Sequence, residues 1–138
     1  MVEQTTQYGI GATVGLPYEK AVEAIRGALA AEGFGVLTEI DVKATLKKKI
    51  DVEFRPYIIL GACNPALAHQ ALSAEIGIGL LLPCNVIVYA ADELGKSVIA
   101  VMDPIEAMDI TGNTRIRPVA EDARKRLVRA IEAVERAA

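Results

Sequence analysis

Apolar and polar positions along this chain change period several times, and each change marks an element. Over residues 7–14 they alternate, with Tyr8, Ile10, Ala12 and Val14 on one face and Gln7, Gly9, Gly11 and Thr13 on the other. That period of two predicts a half-buried strand. Gly9 and Gly11 strip the second face of side chains, which suits either close sheet packing or the approach of a ligand or partner backbone. Leu16-Pro17 opens a helix to about residue 31, with Tyr18, Ala21, Val22, Ile25, Ala28 and Leu29 as its apolar stripe and Gly33 just past its end. Alternation returns over residues 34–42, with Phe34, Val36, Thr38, Ile40 and Val42 opposed to Gly35, Leu37, Glu39 and Asp41. Asp41 then caps a short helix that carries Val42, Leu46 and Ile50 on one side. Lys47, Lys48 and Lys49 fall in its last turns, where the helix dipole favours cations and a solvated face is expected.

Residues 57–63 form an almost unbroken apolar run rich in β-branched side chains and bounded by Pro56 and Pro65, which predicts a buried central strand. Asn64 stands in N-cap position and Pro65 at the first helical position, so a helix follows through Leu67, Ala68, Ala71 and Leu72. Residues 76–82 are apolar but broken by Gly77 and Gly79, which predicts a packed loop. Pro83 marks a strand start and Cys84-Asn-Val-Ile-Val-Tyr89 is the next strand. Asp92-Glu-Leu-Gly95 reads as a turn into a strand over residues 96–102, so residues 84–102 make a β-hairpin. Asp103-Pro104 breaks it. Residues 105–117 read as a loop, long enough to be functional, in which Met102 and Met108 either line a pocket or fill the core. Pro118 starts a final helix with Val119, Ala123, Leu127, Ala130, Ile131 and Val134 as its stripe. The predicted order is β-α-β-α-β-α-β-β-α in one domain over residues 1–138, without internal repeat or linker.

Composition narrows the function classes. Aromatic residues make up only 4% of the chain, so the core is built from Ala, Val, Ile and Leu. A formal net charge of -3 argues against a nucleic-acid partner. The acidic residues Glu121, Asp122, Glu132 and Glu135 dilute the basic face of the last helix, so no membrane partner is expected. No apolar run reaches the roughly 18 residues that span a bilayer. The N-terminal residues lack the basic and apolar regions of a signal peptide, and a cytoplasmic, reducing setting is the expectation. Few Asn and Gln residues fit a thermophilic source.

Candidate chemistry gathers in residues 57–89, which hold both cysteines and the single histidine. Cys63 ends one predicted strand and Cys84 begins another. If the strands are parallel, the thiols stand about a strand length apart, roughly 17–20 Å. If they are antiparallel neighbours, both thiols lie at one end of the sheet, with Cys63 just before a helix N-terminus whose free amides and dipole favour a thiolate. His69 is six positions past Cys63. Cys63, Asn64, His69 and Cys84 are the candidate ligand-binding residues, and Cys63 and Cys84 the candidate metal ligands. Two Cys and one His do not complete a four-ligand structural zinc site in one chain. Small buried hydrophobes are the competing reading of both cysteines.

Three motifs carry a family likeness: Gly33-Phe-Gly-Val-Leu-Thr-Glu-Ile-Asp-Val42, Leu60-Gly-Ala-Cys-Asn-Pro65 and Gly79-Leu-Leu-Leu-Pro-Cys-Asn-Val-Ile-Val-Tyr89. In this order the chain resembles the bacterial and archaeal domain-of-unknown-function family numbered 302 over nearly its whole length. The resemblance implies an α+β domain with an antiparallel curved sheet covered by helices, similar to one copy of the TATA-binding-protein-like fold. It also implies a homodimer and places Cys63 and Cys84 at neighbouring strand ends. It implies no activity. Three functions follow as expectations: a dimeric module that binds a small molecule in a recess near Cys63, Asn64, Cys84 and residues 76–82; a thiol redox or soft-metal protein using Cys63 and Cys84; or a structural scaffold. A phosphate loop, dinucleotide fingerprint, serine elbow and paired-carboxylate motif are all missing, so binding is favoured over enzymology.

Overall fold

A computed structural model describes all residues, 1–138. The elements run β1 (Glu3–Thr6), β2 (Gly9–Val14), α1 (Tyr18–Ala31), β3 (Gly35–Asp41), α2 (Val42–Ile50), β4 (Tyr57–Cys63), α3 (Pro65–Ala74), a 3-10 helix (Ile76–Leu81), β5 (Cys84–Ala90), β6 (Ser97–Met102), α4 (Pro104–Asp109) and α5 (Arg117–Ala137). The six strands form one sheet in the order β1-β2-β6-β5-β4-β3, and every neighbouring pair is antiparallel. The fold is α+β, a single domain with a curved open sheet and helices.

One face of the sheet is covered. Ile10, Ala12 and Val14 of β2, Leu60 and Ala62 of β4, Val86 and Val88 of β5, and Ile99 and Val101 of β6 pack against Ala21, Ile25 and Leu29 of α1 and Leu127, Ala130, Ile131 and Val134 of α5. Each fully buried Val, Leu or Ile there contributes about 1.5–3 kcal/mol of transfer free energy, and this core holds the sheet flat against the helices. A second, smaller core lies at the other end of α5. There Leu67 and Ala71 of α3, Ile78 of the 3-10 helix and Met108 of α4 pack on Ile116, Val119, Ala120 and Ala123. Ser97 is the one buried polar side chain; its Oγ donates to the Leu16 carbonyl at 2.8 Å.

The structure departs from the expected elements in four places. A strand absent from the reading, β1, hairpins onto β2, so that Tyr8 sits in the turn beside it and is exposed rather than joining Ile10, Ala12 and Val14. Residues 104–109 are helical, capped by the Asp103 side chain, which accepts from the Ile105 amide at 2.9 Å. Residues 76–81 wind into a 3-10 helix in which only Ile78 is buried, while Ile76 and Leu80 face outward. The alternation expected over residues 34–42 also breaks. The register between β3 and β4 shifts in a bulge between Val36 and Thr38, and beyond it Ile40, expected on the apolar face, is exposed. Two glycines are fixed by sheet packing: a Cβ on Gly11 would lie 2.8 Å from Ala100 Cα, and one on Gly61 would overlap Thr38 Oγ1.

Candidate functional site

Chain order sets two recesses, one at the end of the sheet and one on its uncovered face. The first forms where β4 runs into α3. The Asn64 side chain caps α3 by accepting from the Leu67 amide at 3.2 Å, and its amide reaches the Glu32 carbonyl at 3.5 Å. β5 starts opposite, with Cys84 paired to Ala62, so Cys63 and Cys84 stand at the same end of neighbouring strands. Both cysteines and Asn64 line one cavity with Phe34, Leu67, Pro83 and Met108. His69 is not among its lining residues. The cavity measures ≈ 30 Å³, which is the room of about one water molecule.

Electrostatics at this recess work against thiolate chemistry. Burial, and then the charge of Cys63, push the Cys84 thiol up from 9.0 to about 11. At neutral pH Cys84 is a protonated thiol, and the thiolate is the form that attacks electrophiles or ligates metal. No group of three or more His, Cys, Asp or Glu side chains converges anywhere in the structure. Cys63 and Cys84 are both free.

The second recess lies on the face of the sheet that α1 and α5 leave open. Tyr57 of β4, Asn85, Ile87 and Tyr89 of β5, and Ala100 and Met102 of β6 form its floor. Thr5, Thr6 and Tyr8 from the β1–β2 hairpin close one side, and Phe54 and Arg55 close another. Its volume is ≈ 620 Å³, within the range of ordinary small-molecule sites. Tyr57 stands opposite Tyr89 in the ladder, and the two rings stack with centroids 5.3 Å apart and planes 7° from parallel. Phe54 meets Tyr57 at 6.2 Å and 51°. The Arg55 guanidinium lies 5.7 Å from the Tyr89 ring centre, donates to the Ala90 carbonyl at 3.1 Å and reaches Asp92 at 3.0 Å. Burial, and then Tyr89 and Tyr8, raise the Tyr57 hydroxyl above its usual range, so it keeps its proton at neutral pH and can donate a hydrogen bond.

Sequence reasoning missed this second recess, although a signal was present. Once Ala62 stands opposite Cys84, stepping five residues back along one strand and five forward along the other puts Tyr57 opposite Tyr89. The expected antiparallel pairing of the two cysteine strands therefore contained the aromatic pair. The two methionines weighed for a pocket divide between the recesses, Met108 at the cysteines and Met102 on the open face.

Comparison with known proteins gives a family and no activity. No curated protein matches the chain. Among solved structures, the chain is similar to an uncharacterized conserved DUF302 protein from Bacillus stearothermophilus, with 27% sequence identity and a TM-score of 0.85. The alignment covers 94% of this chain and 99% of that one. A sequence model of the domain of unknown function DUF302 matches residues 10–134, which takes in every element from β2 to α5. The chain belongs to the DUF302 family.

Proposed function

We propose that the protein is a homodimeric module that binds a small molecule on the open face of its sheet. One observation carries this reading: four of the six aromatic side chains in the chain, Tyr8, Phe54, Tyr57 and Tyr89, line a single ≈ 620 Å³ concavity. The open face of an antiparallel sheet normally alternates to polar residues, yet here β4 and β5 present Tyr57, Ile87 and Tyr89. Apolar walls with a few polar groups are how small-molecule sites are built. The ≈ 30 Å³ beside Cys63, Asn64 and Cys84 leaves no room for such a ligand, so in this reading those residues shape the strand–helix junction. The thiol-redox reading has less support, because Cys84 holds its proton, and the soft-metal reading because no third His, Cys, Asp or Glu side chain joins the two cysteines. The surface offered to a second copy is residues 35–57, none of which is buried.

The chain has no Trp and four Tyr, three of them at the groove, so tyrosine emission reports on this site. In a thermal-shift screen of metabolites, hits are expected to change tyrosine emission. The same hits should disappear in Tyr57→Ala and Tyr89→Ala and persist in Cys63→Ser and Cys84→Ser. A screen without hits, or hits lost only in the cysteine variants, rejects the reading.

A further inference from the structure

The groove holds one ionised side chain, Arg55, and no carboxylate, in a chain that carries 18 acidic residues against 15 basic ones. Resting on the reading that this groove is the binding site, we infer that its ligand is a flat, largely apolar molecule bearing one anionic group, with its ring plane on the Tyr57–Tyr89 stack and its anion at Arg55.

The flatness follows from the surfaces. Tyr57 and Tyr89 lie 7° from parallel, and the lining beside them includes the small residues Gly9 and Ala100 together with Asn85 and Ile87. Stacked aromatic surfaces select planar partners. Phe54, tilted 51° to Tyr57, turns a corner against which the edge of a planar ligand can rest.

The charge follows from how Arg55 is held. Its guanidinium has five donors in a fixed fork. The Ala90 carbonyl takes one and the guanidinium carbon lies over the Tyr89 ring, so the group is positioned by the sheet itself. Its remaining partner is Asp92, whose side chain is 93% exposed. A surface ion pair of that kind contributes little and exchanges readily. An anion arriving from the groove can take the place of Asp92 without unseating Arg55. Aromatic cages also bind organic cations, but here the cation on the ring is already supplied by the protein, and its one carboxylate partner, Asp92, is exposed and does not line the groove.

Two fluorescent dyes that differ by one sulfonate test this: 8-anilinonaphthalene-1-sulfonate and its neutral counterpart N-phenyl-1-naphthylamine. The wild-type protein is expected to bind the sulfonate about tenfold more tightly, the worth of a charge-assisted contact after Asp92 is displaced. Arg55→Gln should bring the two affinities within about twofold, with the larger change in that of the sulfonate. Asp92→Asn, which removes the competing carboxylate, should tighten the sulfonate alone. Tyr57→Ala should weaken both dyes. Equal affinities in the wild type, or an unchanged preference in Arg55→Gln, overturn the inference about charge and leave the groove as a binding site. Failure of both dyes to saturate, or indifference of both to Tyr57→Ala, overturns the groove reading itself.

Discussion

At the scale of single residues, Cys84 and Tyr57 show how burial assigns chemistry that residue type alone leaves open. The antiparallel pairing of β4 and β5 puts Cys84 opposite Ala62, one residue from Cys63, and both cysteines line one cavity; in a solvated setting two thiols at one site would invite redox or metal chemistry. The apolar cavity around them reverses that. A thiol whose folded value is raised to about 11 from 9.0 binds its proton more tightly when folded than when unfolded. Its contribution to stability is therefore fully present below pH 9.0 and is lost as pH rises through about 11. The loss amounts to about 3 kcal/mol. Denaturant melts at a series of alkaline pH values should show this decline in the wild type and a shallower one in Cys84→Ala, where the difference between the two isolates the thiol from titrating lysines and tyrosines. Alkylation gives an independent check: Cys84 should react with iodoacetamide at pH 7 more slowly than free cysteine. Part of the candidate site was legible at this scale. The N-cap signal of Asn64 and the strand-end cysteines could be read directly, because each depends on near neighbours in the chain. The groove was not, because Tyr8, Phe54, Tyr57 and Tyr89 come from three separated stretches and meet only through sheet order.

At the scale of elements, the same local signal was read in one place and passed over in another. Asn64-Pro65 and Asp103-Pro104 are both an Asx residue followed by proline, and both open helices in which the Asx side chain accepts a backbone amide. The second escaped notice because α4 is only six residues long and shows no apolar period beyond a single turn. The strand β1 was hidden for a related reason: its sequence, Glu-Gln-Thr-Thr, is wholly exposed and carries no apolar alternation. Elements long enough to repeat an apolar period announce it in sequence, whereas a six-residue helix such as α4, although it buries Ala107 and Met108, or a strand held by edge pairing does not. The two caps differ in what else they hold. Asn64 also reaches the Glu32 carbonyl, which Arg126 contacts at 3.3 Å, while Arg129 holds the Glu32 carboxylate at 2.8 Å. Asn64→Ala should therefore cost about 1–2 kcal/mol in denaturant unfolding, whereas Asn64→Asp, which keeps the acceptor for Leu67 but loses the donor, should recover most of it. Equal losses in the two variants would place the stabilisation in the contact to Glu32 rather than in the cap.

At the scale of the whole molecule, one side of the protein is finished and the other is open. Two cores share α5 and account for the helical layer, but residues 35–57 contribute no buried residue to either. This stretch contains an edge strand of seven residues and a helix of nine. A helix of that length is marginal in water without a packed face, and the apolar stripe Val42, Leu46 and Ile50 seen in the sequence has no buried member. Leu37, Ile40, Ile50, Val52 and Phe54 are all exposed along it. The opposite edge, β1, is short and polar, as a protected edge should be. The charges of the exposed stretch favour a second copy over a strongly acidic or basic partner. Glu39, Asp41, Asp51 and Glu53 stand against Lys43, Lys47, Lys48, Lys49 and Arg55, and a two-fold interface presents the same patch to itself, so near-balance is what it requires. The bulge at Leu37 disfavours direct strand addition, which makes side-chain packing the expected contact. Sedimentation equilibrium should return twice the chain mass of 14.7 kDa, and Leu37→Glu combined with Ile50→Glu should return the monomer with an unchanged circular dichroism spectrum. A wild-type monomer at micromolar concentration would remove the dimer from the proposal. A dimer untouched by the double substitution would move its interface away from β3 and α2. Because Phe54, Arg55 and Tyr57 belong to both the exposed stretch and the groove, the paired variant also decides whether ligand affinity depends on assembly: a monomer that binds as tightly as the dimer makes each groove a complete site within one chain.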